Sequence, residues 1–131
     1  MQYEAKDGTR VLLVDDDDDL RAMLRLNLAH AGFEVHEAPD GARAITSLQS
    51  NDFDVVVIDL VMPNVSGNAT IDIFRFLPSG KKLKTIVITG VSDAAMKERA
   101  MQSGAVEVLE KPFNPTLLVE TIRRHVPAAA G

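Results

Sequence analysis

Asp15-Asp16 and Asp59 follow directly on the apolar runs Val11–Val14 and Val55–Ile58. Two further runs, Ile86–Ile88 and Val106–Leu109, are followed by Thr89 and by Glu110-Lys111-Pro112. If each run is a strand of one parallel sheet, all these groups arrive at the same edge, where open α/β sheets bind ligands. Three carboxylates gathered there repel one another, and without a partner some must hold a proton. A hard divalent cation relieves this, and Mg²⁺ suits a few carboxylates together with waters and phosphate oxygens. Lys111 adds a positive charge and Thr89 a hydroxyl donor, a set suited to a phosphoryl group. A carboxylate can itself be the nucleophile, giving an aspartyl phosphate. Asp59, alone at the end of a central strand, is best placed for that role.

The elements that would position these groups can be read from the periodicity. Runs 11–14, 55–58 and 86–88 are nearly continuous and rich in Val and Ile, as strands covered on both faces are. Phe33–Ala38 is a weaker, alternating strand. Between the strands lie helical stripes. Leu20, Met23, Leu24, Leu28 and Ala31 form one, ended by Gly32. Ala42, Ile45 and Leu48 form another, with Asp40 as N-cap. Ile71, Phe74 and Leu77 form a third, stopped by Pro78. Ala94 to Ser103 is the fourth, capped by Ser92 or Asp93 and closed by Gly104. In the fifth, Asn114 caps and Pro115 opens a helix carrying Leu117, Leu118, Ile122 and Val126. Strand and helix alternate five times, which predicts an α/β doubly wound parallel sheet with right-handed crossovers. Residues 1–9 and 127–131 read as tails, leaving 10–126 as one domain.

Composition narrows the function classes. The chain has 131 residues, 46% of them hydrophobic, and a net charge of −5. The excess equals the five consecutive aspartates at 15–19. There is no cysteine, which excludes disulfides, thiolate metal sites and cysteine nucleophiles. No apolar run approaches the ~20 residues of a membrane span, and the polar Met1–Arg10 stretch carries no signal-peptide core. An acidic balance disfavours direct nucleic-acid binding. A cytoplasmic domain with no membrane contact is expected. Asp17, Asp18 and Asp19 read as a solvated acidic loop, with Asp18 or Asp19 capping the first helix. His30 and His125 fall near helix C-termini, and His36 faces out from its strand. Lys81, Lys82 and Lys84 form a solvated basic loop. Of Phe74 and Phe76, one can be core and the other exposed. Neither G-x-G-x-x-G nor G-x-x-x-x-G-K-[ST] occurs.

Five stretches together carry a resemblance: Val11-Leu-Leu-Val-Asp15-Asp16-Asp17, Ala38-Pro-Asp40-Gly41-Ala-Arg-Ala44, Val57-Ile-Asp59-Leu-Val-Met62-Pro63, Ile88-Thr89-Gly90 and Glu110-Lys111-Pro112-Phe113. Over roughly residues 10–126 the chain resembles a receiver domain of the two-component response-regulator family. The resemblance implies the CheY-like, flavodoxin-like fold, with five parallel strands in the order 2-1-3-4-5 and five helices. It also implies that Asp59 accepts a phosphoryl group from a phosphohistidine on a sensor histidine kinase or histidine phosphotransfer protein. Asp15, Asp16, Asp59 and the backbone carbonyl of Val61 would hold Mg²⁺. Thr89 and Lys111 would contact the phosphoryl oxygens, and the Lys111–Pro112 bond would be cis. Output would pass to a protein target through the face made by the fourth helix, fifth strand and fifth helix. No DNA-binding module follows residue 126, so the expected route is protein contact, unless the chain is a domain of a longer protein.

Some positions depart from the family pattern. Val108 stands where an aromatic residue often couples to the threonine. Asn64-Val-Ser66-Gly67 replaces the commoner Asp-Gly ending. Val61 and Val91 offer no polar group to position an attacking water, which implies slow self-dephosphorylation. Two other functions stay open at this level. One is a phosphatase-like hydrolase forming its aspartyl phosphate on Asp15 of the Asp15-Asp16-Asp17 run. The other is an interaction module that is never phosphorylated.

Overall fold

The computed structural model describes residues 8–62, 66–77, 82–90 and 94–127. Pro63, Asn64, Pro78, Lys81, Val91, the Ser92 and Asp93 caps and most of both tails lie outside the described residues. Ten elements alternate: β1 (Arg10–Val14), α1 (Asp18–His30), β2 (Glu34–Ala38), α2 (Gly41–Ser50), β3 (Val55–Asp59), α3 (Gly67–Phe74), β4 (Lys84–Thr89), α4 (Ala94–Ser103), β5 (Ala105–Glu110) and α5 (Pro115–His125). The five strands form one parallel sheet in the order β2-β1-β3-β4-β5. This is the fold that the five stretches implied.

The strand sequences explain why both faces are covered. In β1, Val11 and Leu13 point to one side and Leu12 and Val14 to the other, as the two-residue period requires. One layer packs Leu24 and Leu28 of α1 and Leu118 and Ile122 of α5 on Val11, Leu13, Val57 and Ile88. The opposite layer packs Leu48 of α2, Ile71 and Phe74 of α3 and Ala100 of α4 on Leu12, Val14, Ile58 and Val87. Each fully buried Leu or Ile in these layers contributes roughly 1.5–3 kcal/mol.

Helix ends follow local chemistry. Asp40 accepts from the Arg43 N–H (2.8 Å) and Asn114 from that of Thr116 (2.8 Å), as expected from sequence. Ser66 caps α3 through the Ala69 N–H at 3.2 Å. The first helix departs from expectation. Its cap is Asp17, which accepts from the Leu20 N–H at 3.0 Å, while Asp18 and Asp19 lie inside the first turn. Helices α1 and α4 end at Gly32 and Gly104, whose φ values of 104° and 121° suit only glycine. The α2 stripe is also displaced: Gly41, Ala44 and Leu48 are buried, Ile45 is half-buried and Ala42 is exposed. Thr9 is buried and its carbonyl accepts the Glu34 N–H at 2.9 Å, so strand β2 is tied one residue inside the stretch read as tail.

Candidate functional site

The carboxyl ends of β1 and β3, adjacent strands at the centre of the sheet, hold the aspartates. Asp15 is fully buried. Its N–H donates to the Ala38 carbonyl (3.2 Å), and its Oδ1 accepts the Asp17 N–H at 2.8 Å in a tight side-chain turn. That turn also sets Asp17 to cap α1. Asp59 is 6% exposed, and its Oδ1 accepts the Val61 N–H at 3.0 Å. Asp16 stands exposed beside them, and one carboxylate oxygen from each of Asp15, Asp16 and Asp59 lies within 4.8 Å of the others.

Lys111 closes the site from β5. Its Nζ donates to Asp15 Oδ2 at 3.0 Å and to Asp59 Oδ2 at 2.9 Å. Its backbone N–H donates to the Thr89 carbonyl at 2.7 Å, which ties the end of β4 to the turn after β5. Thr89 is fully buried, and the Lys111–Pro112 bond is cis, as the resemblance implied. Charge balance follows from this packing. Burial pushes the Asp15 carboxyl above its ordinary range, against the hydrogen bonds from Asp17 and Lys111. Burial alone would lower Lys111. The hydrogen bonds and charges of Asp59 and Asp15 outweigh it and hold the ammonium above its ordinary value.

The start of α3 supports the Asp59 turn. The Gly67 N–H donates to the Leu60 carbonyl at 3.0 Å. A Cβ on Gly67 would lie 2.4 Å from the Asp59 carbonyl oxygen and 2.6 Å from Leu60 Cα, so only glycine permits this approach. The metal that the resemblance implies can be tested against this geometry. Three carboxylates converge, one buried and held by a backbone N–H, one nearly buried and one exposed. An all-oxygen set of this kind fits a hard divalent ion such as Mg²⁺.

Asp15, Asp16, Asp59, Thr89 and Lys111 therefore meet at one sheet edge, as their positions after the apolar runs predict. Glu110 does not join them; it is exposed and pairs with Lys97 of α4. Val61 is 53% exposed and Val108 is half-buried against the layer formed with α2, α3 and α4. Of the two phenylalanines, Phe74 is core and Phe76 is 85% exposed. His125 of α5 pairs with Glu107 at 3.1 Å and His36 of β2 with Glu34 at 2.8 Å. Sequence reasoning overlooked Arg21, whose guanidinium reaches the Asp15 carbonyl. Its spacing of three from Asp18 on one helix face was the available signal.

Residues 11–123 match the model of the response regulator receiver domain. The chain is 33% identical over 114 residues to the DNA-binding response regulator MtrA of Mycolicibacterium smegmatis, covering 87% of this chain and 49% of that protein. It is 40% identical over 118 residues to the C4-dicarboxylate transport transcriptional regulatory protein DctD of Pseudomonas aeruginosa, covering 88% of this chain and 25% of that protein. The chain thus spans half or less of these relatives. Among solved structures, the Vibrio cholerae chemotaxis protein CheY4 superposes with a TM-score of 0.86 at 33% identity, covering 91% of this chain and 99% of that one. The receiver domain of the Pseudomonas aeruginosa sensor histidine kinase PA1611, solved with magnesium in its active site cleft, gives 0.82 at 25% identity, covering 89% and 96%. Among the described residues no helix is long and apolar enough to cross a membrane. Sequence match, strand order and the carboxylate edge agree: the chain belongs to the response regulator receiver domain family of two-component systems.

Proposed function

We propose that this receiver domain is a phosphorylation-dependent signalling switch whose phosphoacceptor is Asp59. The observation that carries the reading is the Lys111 ammonium, hydrogen-bonded to both the Asp15 and Asp59 carboxylates at the joined ends of β1 and β3. It sets a positive charge against a buried acidic pair and offers a cation where phosphoryl charge would develop. One oxygen of Asp59 attacks phosphorus as the bond from phosphorus to the donor's histidine nitrogen breaks, and the imidazole leaves with its electron pair. Asp59 is favoured over Asp15 because it keeps some solvent access and Asp15 has none.

Asp15, Asp16, Asp59 and the Val61 carbonyl would hold Mg²⁺, which when bound supplies charge neutralisation at the transferring group. The magnesium in the PA1611 receiver domain supports that assignment. Thr89 and Lys111 hold the phosphoryl oxygens. The donor is a phosphohistidine on a sensor histidine kinase or histidine phosphotransfer protein. The phosphorylated form acts on a protein target through the face of α4, β5 and α5, by shifting a pre-existing equilibrium. The functional unit is residues 10–126, between tails at 1–9 and 127–131, working in the cytoplasm without direct contact with nucleic acid or membrane.

Incubation with Mg²⁺ and acetyl phosphate tests this reading. Wild type should gain one acid-labile phosphoryl group and Asp59→Ala none. Continuous turnover of a phosphomonoester that is lost in Asp15→Asn and kept in Asp59→Asn would replace it with the hydrolase alternative.

A further inference from the structure

Arg21 lies beside the acidic edge with 13% of its side chain exposed. Its three nitrogens reach three segments. Nη1 donates to the Asp15 carbonyl at 2.5 Å, Nε to Glu37 Oε1 at the end of β2 at 2.9 Å, and Nη2 to Asp18 Oδ1 in the first turn of α1 at 2.8 Å. We infer that Arg21 is a positioning residue for the cation site: by fixing the Asp15 carbonyl it sets where Asp16 delivers its carboxylate. The inference rests on the assignment of Mg²⁺ to Asp15, Asp16 and Asp59 made above.

The argument begins with the peptide bond. The Asp15 carbonyl and the Asp16 N and Cα lie in one plane, so anchoring that oxygen fixes the direction in which Asp16 leaves β1. The other two carboxylates have their own anchors: Asp15 bonds to Asp17 N and Lys111, Asp59 to Val61 N and Lys111. Asp16 is exposed, and among the described residues no partner holds its carboxylate. Its placement therefore depends on the backbone that carries it, and Arg21 is the side chain that grips that backbone. The planar fork is suited to this; a lysine would offer one point charge in its place.

Two effects of removing Arg21 have opposite signs, which makes the inference testable. Arg21 is a cation, so as a bare charge it repels a metal ion. Its removal would also leave Asp18 without its partner, while Glu37 keeps Arg25 at 3.2 Å. Electrostatics alone thus predicts tighter cation binding in Arg21→Met. Positioning predicts weaker binding, because residues that orient metal ligands typically account for 10–100-fold in affinity.

The experiment is calorimetric titration of Mg²⁺ into wild type, Arg21→Met, Arg21→Lys and Arg123→Met, each first shown to be folded by circular dichroism. Arg123 is the control: it too donates to a backbone carbonyl, that of Ala31 at 2.6 Å, beside the C-terminal end of α1. Arg21→Met should bind Mg²⁺ about tenfold more weakly, Arg21→Lys should recover part of the loss, and Arg123→Met should match wild type. Unchanged or tighter binding in Arg21→Met overturns the inference while leaving the magnesium assignment standing. No binding by wild type overturns both. In metal-free protein the amide signals of Asp16 and Asp17 should shift in Arg21→Met and stay in place in Arg123→Met; unshifted signals in Arg21→Met also overturn it. If Arg21→Met does not fold, Arg21→Lys carries both readouts.

Discussion

Replacing Gly67 with alanine should damage the site from outside it. The added Cβ would meet the Asp59 carbonyl oxygen at 2.4 Å and Leu60 Cα at 2.6 Å, and both are backbone atoms. Ordinary contact begins near 3.4 Å, so α3 and the turn after β3 must separate by about 1 Å, the difference between these distances. Little there can give way. Asp59 pairs in register with Ile88 of β4, and the Gly67 N–H is bonded to the Leu60 carbonyl. Overpacking of this sort costs roughly 1–3 kcal/mol. Alanine's better helix propensity returns less than about 1 kcal/mol at the first helical position. A net loss of about 1–2 kcal/mol lowers the melting temperature of a chain this long by roughly 4–7 °C. Displacing the acceptor by about 1 Å should also slow phosphoryl uptake by up to about 100-fold. The assay is thermal unfolding by circular dichroism beside acetyl phosphate uptake, with Gly90→Ala as comparator. A Cβ on Gly90 meets nothing within 4 Å, so that variant should stay within about 0.5 kcal/mol of wild type. A Gly67→Ala protein as stable and as readily phosphorylated as Gly90→Ala would refute the reasoning.

Three more outcomes follow from the same geometry. Asp17→Ala removes the α1 cap and should cost about 1 kcal/mol, whereas Asp19→Ala, inside the first turn, should cost less by the same melting assay. Mg²⁺ at ten times its dissociation constant should stabilise the fold by about 1.4 kcal/mol, raising the melting temperature by about 5 °C. Lys111→Met should be less stable than wild type by about 3–5 kcal/mol without metal, because it strips the buried aspartates of their cation, and its gain from Mg²⁺ should exceed that of wild type. Glu34 is held below the ordinary glutamate range by hydrogen bonds from His36 and Arg10. Its contribution is present above its unfolded value of about 4.3 and is lost as pH falls through the lower folded value. The stability difference between wild type and Glu34→Gln should thus shrink as pH falls below about 4, and salt should reduce it.

The central strands were legible because Val and Ile fill both of their faces, and the residues that end them could be placed on one edge before any coordinates. The polar start of β4 was not. Lys84 is exposed and breaks the apolar run, yet it pairs with Val55. The α1 cap was misassigned because five identical aspartates carry no local distinction; the choice falls to Asp17 through the turn that its N–H makes with Asp15. The α2 stripe was displaced for a different reason. Gly41 faces the α3 side chain of Thr70 so closely that a Cβ there would meet Thr70 Oγ1 at 2.3 Å. Small residues that allow helices to approach give no hydrophobic signal. Arg21 and Gly67 were hidden for the same kind of reason, since their contacts are made to backbone atoms of a neighbouring turn, the Asp15 carbonyl for Arg21 and Asp59 and Leu60 for Gly67.

The most direct measurement is the location of the phosphoryl group after reaction with acetyl phosphate, with Mg²⁺ or with a chelator, by mass spectrometry of the trapped adduct. The account predicts one phosphoryl group on Asp59, formed with Mg²⁺ and absent with the chelator. A phosphoryl group on Asp15, uptake at Asp59 that ignores the metal, or no uptake at all would contradict it.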